Sequence, residues 1–130
     1  MKQHKARIKV TSRSFSRHPV LKKELLELFP NSHFNADGPP NGIPNIVEFL
    51  KDADGMILGM EQMFRPVLQK LNNLKIVSKF GVGLDNLDLN ATEELGIAVG
   101  WTSGVNKRSA SEQTLGFMLG LSRNLFFSSF

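Results

Sequence analysis

The sequence predicts an α/β fold built on one parallel sheet, and three observations carry that prediction. Short apolar runs with strand spacing alternate five times with helix-patterned stretches. The links between them are mostly short turns marked by glycine, proline or asparagine. The chain is 130 residues long, 41% hydrophobic and 22% charged, which suits one domain with its own core.

Ile8-Lys9-Val10-Thr11 alternates apolar and polar residues, the period of a half-buried strand. Pro19 opens a helix in which Leu21, Leu25 and Leu28 share one face, and Pro30-Asn31 stops it. His33-Phe34 reads as a short second strand. Asn35 to Pro44 holds three prolines and two glycines and reads as loop. Ile46 to Leu50 follows as a helix, Gly55 to Leu58 as a buried strand, and Arg65 to Leu71 as a helix with its proline in the first turn. Lys75 to Ser78 is the fourth strand; Leu89 to Leu95 is a helix closed by Gly96 just past its end. Ile97 to Val99 is the last strand, and Ser109 to about Asn124 a long final helix. Ser109 and Glu112 have the S-x-x-E spacing of a capping box, and Gly116 and Gly120, four apart, permit close backbone packing. Five βα units with short loops match a flavodoxin-like, doubly wound parallel sheet, ordered 2-1-3-4-5 and covered by helices on both faces. The final helix is expected to leave the sheet and expose Phe117, Met118 and Leu121.

Composition excludes several functions. Without cysteine there is no thiol nucleophile, CxxC redox pair or cysteine-ligated zinc. His4, His18 and His33 lack metal-ligand spacing, so no metal site is expected. The longest nearly apolar run, Leu115 to Leu121, is seven residues, far below the ~20 of a spanning helix, and the first residues lack the apolar h-region of a secretory signal, so none is expected. The expected compartment is the cytoplasm. Residues 1–23 carry eight basic side chains and no acid. That start reads as a basic tail entering the first strand rather than a nucleic-acid arm, since only Phe15 interleaves it with an aromatic ring. The segment Ser12-Arg13-Ser14-Phe15-Ser16 after the first strand lacks the glycine and threonine of a flavin phosphate loop and the acidic pair of a phospho-receiver.

Two stretches carry candidate chemistry. In Ser78-Lys79-Phe80-Gly81-Val82-Gly83-Leu84-Asp85-Asn86-Leu87-Asp88, Gly81 and Gly83 let the chain turn sharply at a strand's carboxyl end, where ligands collect in open α/β sheets. Successive amides in such a turn suit a carboxylate or phosphate. Asn86 stands where the dinucleotide fingerprint GxGxxG needs its third glycine. In Thr102 to Glu112, Asn106 precedes the long helix, where its amide can cap, brace a turn or meet a substrate.

Read together, LKIVSKFGVGLDNLDL and GVNKRSASEQTLGFML resemble the NAD-dependent D-2-hydroxyacid dehydrogenases, in particular the phosphoglycerate-dehydrogenase-like members. IKVTSRSF and DADGMILGMEQM are also similar to that group's start. The resemblance implies a flavodoxin-like substrate domain, residues 1–100, then a connecting loop and crossover helix, residues 101–130, leading toward a Rossmann cofactor domain. It implies that Gly81, Val82 and Gly83 offer amides to the substrate carboxylate. Val82 would also approach the nicotinamide end of NAD, while Asn106 would hydrogen-bond the substrate and Lys79 face the cleft. It further implies a 2-hydroxy acid substrate, no nucleic-acid or membrane partner, and a homodimeric parent. Gly59-Met60-Glu61 lacks the arginine that some phosphoglycerate-oxidising members carry there, and Ser111 and Gln113 replace a usual alanine and leucine. The catalytic arginine, glutamate and histidine and the GxGxxG loop correspond to positions beyond Phe130, so this chain is expected to be inactive alone and not to bind NAD. A free-standing, non-catalytic flavodoxin-like binding module is the alternative.

Overall fold

The computed structural model describes residues 4–37 and 45–128. Positions 38–44 of the expected Asn35–Pro44 loop, and positions 129–130 of the aromatic tail, lie outside the described residues.

Five strands, β1 (Ile8–Val10), β2 (His33–Phe34), β3 (Gly55–Leu58), β4 (Ile76–Lys79) and β5 (Ala98–Gly100), form one sheet ordered β2-β1-β3-β4-β5. Every pairing is parallel, so the expected 2-1-3-4-5 arrangement holds. The helices are α1 (Arg13–Arg17), α2 (Pro19–Leu28), α3 (Ile46–Leu50), α4 (Arg65–Leu68), α5 (Leu89–Glu94), α6 (Lys107–Ser122) and α7 (Leu125–Ser128). None of them is long and apolar enough to cross a membrane.

Register sorts the sheet into two faces. Lys9, Met56, Val77 and Val99 are partners across four strands, so they share one side. There Met56, Leu58 and Val77 join Leu50 of α3, Leu68 of α4 and Ala91 of α5 in the main core. A fully buried Leu or Met of this kind contributes about 1.5–3 kcal/mol over an exposed one. The other face carries Ile8, Val10 and Ile57 over β1 and β3, then Ile76, Ser78, Ala98 and Gly100 over β4 and β5. Its helical cover ends early. Ile76 is 43% exposed and Ala98 is exposed, because α6 leaves the sheet rather than folding back on it. The expectation of helices on both faces is therefore met for part of the sheet only.

As expected, α6 presents Phe117 (53% exposed), Met118 (62%) and Leu121 (66%) to the outside. It starts two residues before the expected Ser109, with Asn106 as its first cap. That shift places Ser109 inside the first turn, and Glu112 accepts from Arg108 Nε at 2.8 Å instead, so the capping box is not formed. A Cβ built on Gly116 meets nothing within 4 Å, so among the described residues no other element packs there, whereas Gly120 is buried. Asn124, in the left-handed region at φ 55°, ends the helix before α7 begins. Gly96 adopts φ 69° directly after α5, the closing role its position predicts.

Helix α1 was invisible to periodicity because Phe15 and Ser16 are its two buried residues. Local hydrogen bonds make it instead: Ser12 Oγ accepts from Phe15 N–H, and Ser16 Oγ donates to the Ser12 carbonyl at 2.7 Å. Helix α4 is shorter than expected, as i to i−3 bonds from Lys70 and Leu71 tighten its end into turns.

At the carboxyl end of β3, Gly59 N–H donates to Thr11 Oγ1 at 3.0 Å, and a Cβ there would lie 2.9 Å from Ser12 Cα. Gly59→Ala is expected to lower the unfolding free energy by about 1–3 kcal/mol, because backbone must shift. Gly116→Ala is expected to raise it by about 0.5–1 kcal/mol, since the helix there is open. Urea denaturation of the two variants checks both signs.

Candidate functional site

The site grows from the end of β4. Phe80 N–H donates to the Leu58 carbonyl at 2.9 Å, extending the β3–β4 ladder by one residue. The chain then turns at Gly81, whose φ of 144° a side chain would strain. Neither the Gly81 nor the Gly83 amide donates a hydrogen bond among the described residues. The loop is caught again at Asn86–Asp88. Met63 N–H donates to the Asn86 carbonyl (2.8 Å) and Asp88 N–H to the Met63 carbonyl (3.1 Å), forming a parallel bridge between Met63 and Leu87. Asp88 then caps α5 by accepting from Ala91 N–H at 2.8 Å. The glycine turn is thus a free arc held at both ends.

Two side chains reinforce those ends. Lys79 Nζ donates to the Gly59 carbonyl at 2.5 Å and to Asn86 Oδ1 at 2.7 Å. Asn86 Nδ2 donates to the carbonyls of Gly59 (3.2 Å) and Glu61 (2.7 Å). Burial pushes the Lys79 ammonium below its ordinary range, opposed by the negative charges of Asp85 and Glu61. The resemblance implied a Lys79 that faces the cleft. Its stem does line the cavity described next, but its ammonium is held by the β3 loop and Asn86.

Beside the arc lies a cavity of about 690 Å³, lined by Ser78, Lys79, Phe80, Gly81, Val82, Gly100, Trp101, Thr102, Val105 and Asn106. Four of the five candidate residues, Lys79, Gly81, Val82 and Asn106, therefore line one cavity, whereas Gly83 is not in the lining. Gly83 is crowded by its own loop, since a Cβ there would come within 2.7 Å of Asp85 Oδ1. Asn106 caps α6 by position but makes no side-chain cap hydrogen bond, so its exposed amide is available to a ligand. Trp101, 42% exposed, donates from Nε1 to the Val82 carbonyl at 3.1 Å and steadies the arc from the β5 side. Free backbone amides, a spare carboxamide and apolar surface from Val82, Trp101 and Val105 suit a small anion with a carbon skeleton. Lys79 is the one titratable side chain on the described lining, and its ammonium is already engaged by the Gly59 carbonyl and Asn86 Oδ1.

Sequence reasoning missed Asn86 and Trp101. Asn86 was noted only as the residue that breaks a dinucleotide fingerprint, and Trp101, the chain's single tryptophan, sits outside both motifs.

Residues 11–128 match the sequence profile of the family described as D-isomer specific 2-hydroxyacid dehydrogenase, catalytic domain. A D-3-phosphoglycerate dehydrogenase of Methanocaldococcus jannaschii is 36% identical over 81 residues, 62% of this chain and 16% of that protein. A hydroxypyruvate reductase of Thermotoga maritima is 27% identical over 107 residues, 82% of this chain and 32% of that protein. The chain thus spans less than a third of the length of these relatives. The structure of an NAD+-bound 3-phosphoglycerate dehydrogenase from Entamoeba histolytica superimposes with a TM-score of 0.71. That match covers 90% of this chain and 39% of the other at 22% identity, a likeness of fold.

The lowered Lys79 pKa makes a test of the loop tie. Between the folded-state value and the ordinary 10.5, the unfolded chain holds more protons at this position, so stability rises with pH across that window. Lys79→Met is expected to flatten that rise, read as a urea midpoint that climbs less than the wild-type midpoint as pH approaches 10.5.

Proposed function

Because the chain belongs to the D-isomer specific 2-hydroxyacid dehydrogenase family, we propose that it is the substrate-binding portion of an oxidoreductase that passes a hydride between NAD and a D-2-hydroxy acid. The observation that carries this reading is the free arc entered at Gly81 and Val82, which lines one cavity together with the unused carboxamide of Asn106. The arc's amides hold the substrate carboxylate, and Asn106 donates to an oxygen of the bound acid, fixing the C2 carbon over the loop. Val82, 38% exposed, presents the apolar surface against which a nicotinamide ring fits. When bound, that cofactor supplies the hydride acceptor for C2. Among the described residues none cradles a pyrophosphate, so the fit concerns the nicotinamide end alone.

The role of Lys79 is to position the arc through Gly59 and Asn86. Proton transfer at the C2 oxygen needs an acid–base group within hydrogen-bond reach, and the lining offers none suited to it. This chain alone is therefore inactive as a dehydrogenase and does not retain NAD. Residues 1–100 form the substrate-binding domain, and residues 101–130 carry the chain toward a cofactor domain. The parent enzyme is a cytoplasmic homodimer. 3-Phosphoglycerate is a candidate substrate, although Gly59-Met60-Glu61 supplies no arginine for its phosphate.

Trp101 is a built-in reporter because its indole touches the Val82 carbonyl. Titration of the chain with D-glycerate is expected to change Trp101 fluorescence saturably, and Gly83→Val to weaken that binding about tenfold or more by crowding the arc. The added side chain meets the flexible end of Asp85, so the variant folds. In the parent enzyme, Asn106→Ala is expected to cost about 1–3 kcal/mol of transition-state binding, read from kcat/KM. An identical titration in Gly83→Val, with kcat/KM unchanged in Asn106→Ala, would reduce these residues to turn and cap.

A further inference from the structure

The arc from Gly81 to Gly83 is exposed along its whole length, and its three amides donate no hydrogen bond among the described residues. Backbone bonding therefore does not decide which way its peptide planes face. The plane that joins Val82 to Gly83 ends in a residue without a Cβ, so the steric bar to its rotation is low. One contact grips that plane: Trp101 Nε1 donates to the Val82 carbonyl at 3.1 Å.

The donor comes from a firmer part of the molecule than the acceptor. Trp101 directly follows β5, which is held in register against β4 with Gly100 opposite Ser78. The indole is thus carried by the sheet, whereas the carbonyl it holds belongs to the loop that leaves the neighbouring strand. Trp101 stays 42% exposed, so it does not belong to the buried core. The chain's single tryptophan spends its only polar hydrogen on this bond.

A trans peptide is planar, and its C=O and N–H point in opposite directions. Fixing the Val82 carbonyl on the indole therefore fixes the Gly83 N–H toward the side of the arc away from Trp101. Rotation of the plane would put a carbonyl oxygen where that N–H stood, and an anion there would be repelled instead of bound. We infer that Trp101 is a positioning residue: its indole N–H latches the Val82–Gly83 peptide so that the Gly83 amide stays turned to receive a carboxylate. The inference rests on the reading of the arc as a carboxylate seat, but it needs no contact between Trp101 and the ligand.

The test is heteronuclear NMR of the isotope-labelled 130-residue chain and of Trp101→Phe, each free and titrated with D-glycerate. The substitution keeps an aromatic ring and removes the N–H donor. Free wild type is expected to show a through-hydrogen-bond coupling between Trp101 Nε1 and the Val82 carbonyl carbon, with one sharp Gly83 amide signal. In Trp101→Phe the Gly83 signal is expected to broaden as the plane samples two orientations, while Val77 in the sheet stays sharp. The half-saturating D-glycerate concentration is expected to rise about threefold to tenfold, the worth of one hydrogen bond. Lost packing alone would leave the Gly83 line sharp. No coupling in wild type would overturn the inference even where the variant folds poorly. A sharp Gly83 signal or an unchanged D-glycerate affinity in folded Trp101→Phe would overturn it as well. A wild type that does not respond to D-glycerate would remove the carboxylate seat, a separate failure, since the coupling and the Gly83 line shape still decide the latch.

Discussion

The carboxyl edge of the sheet depends on what converges at Gly59. Its carbonyl accepts from Lys79 Nζ and Asn86 Nδ2, and its amide donates to Thr11 Oγ1. Its missing side chain admits Ser12 from the first strand's loop. One residue thereby joins the loops after β1, β3 and β4. The bond from Lys79 is charge-assisted while the ammonium is protonated, and burial works against that charge. On one side of this junction stands the free arc of Gly81–Gly83; on the other stands a cavity lined by Arg13 and Glu61.

That arrangement explains how a short loop without helical or strand hydrogen bonds keeps its shape. The Lys79 contact fixes where the arc begins, and the Met63–Leu87 bridge fixes where it ends. Met63 is fully buried and Leu87 nearly so, so the second anchor is part of the core. Between them the Gly81, Val82 and Gly83 amides donate no hydrogen bond among the described residues, as anion binding by main chain requires. Trp101 adds a third support from β5.

Much of this was legible in the sequence because it is periodic or punctuated. Strand order follows from five short apolar runs joined through helices, and Gly81, Gly96 and the final helix announced their roles by residue type and position. What escaped was local polar bookkeeping and long-range geometry. Helix α1 is made by Ser12 and Ser16 hydroxyls rather than by an apolar stripe. The pairing of Ser109 with Glu112 looked like a cap, yet two residues of helix shift sent Glu112 to Arg108. The inward turn of Lys79 depends on the Gly59 carbonyl, twenty positions away, which no spacing rule reveals. The uncovered β4–β5 face was hidden for a similar reason, since it follows from the direction of α6 and not from its composition.

The central claim is that side-chain ties to the β3 loop, and not the turn's own propensity, hold the arc in place. Amide hydrogen exchange in Asn86→Ala tests it most directly, because that change deletes the donor to the Gly59 and Glu61 carbonyls and the acceptor of Lys79. The Met63 and Asp88 amides, which close the bridge, are expected to exchange at least about tenfold faster, while Val77 in the middle of the sheet keeps its wild-type rate. Unchanged rates at Met63 and Asp88, or equal acceleration at all three positions, would contradict the account.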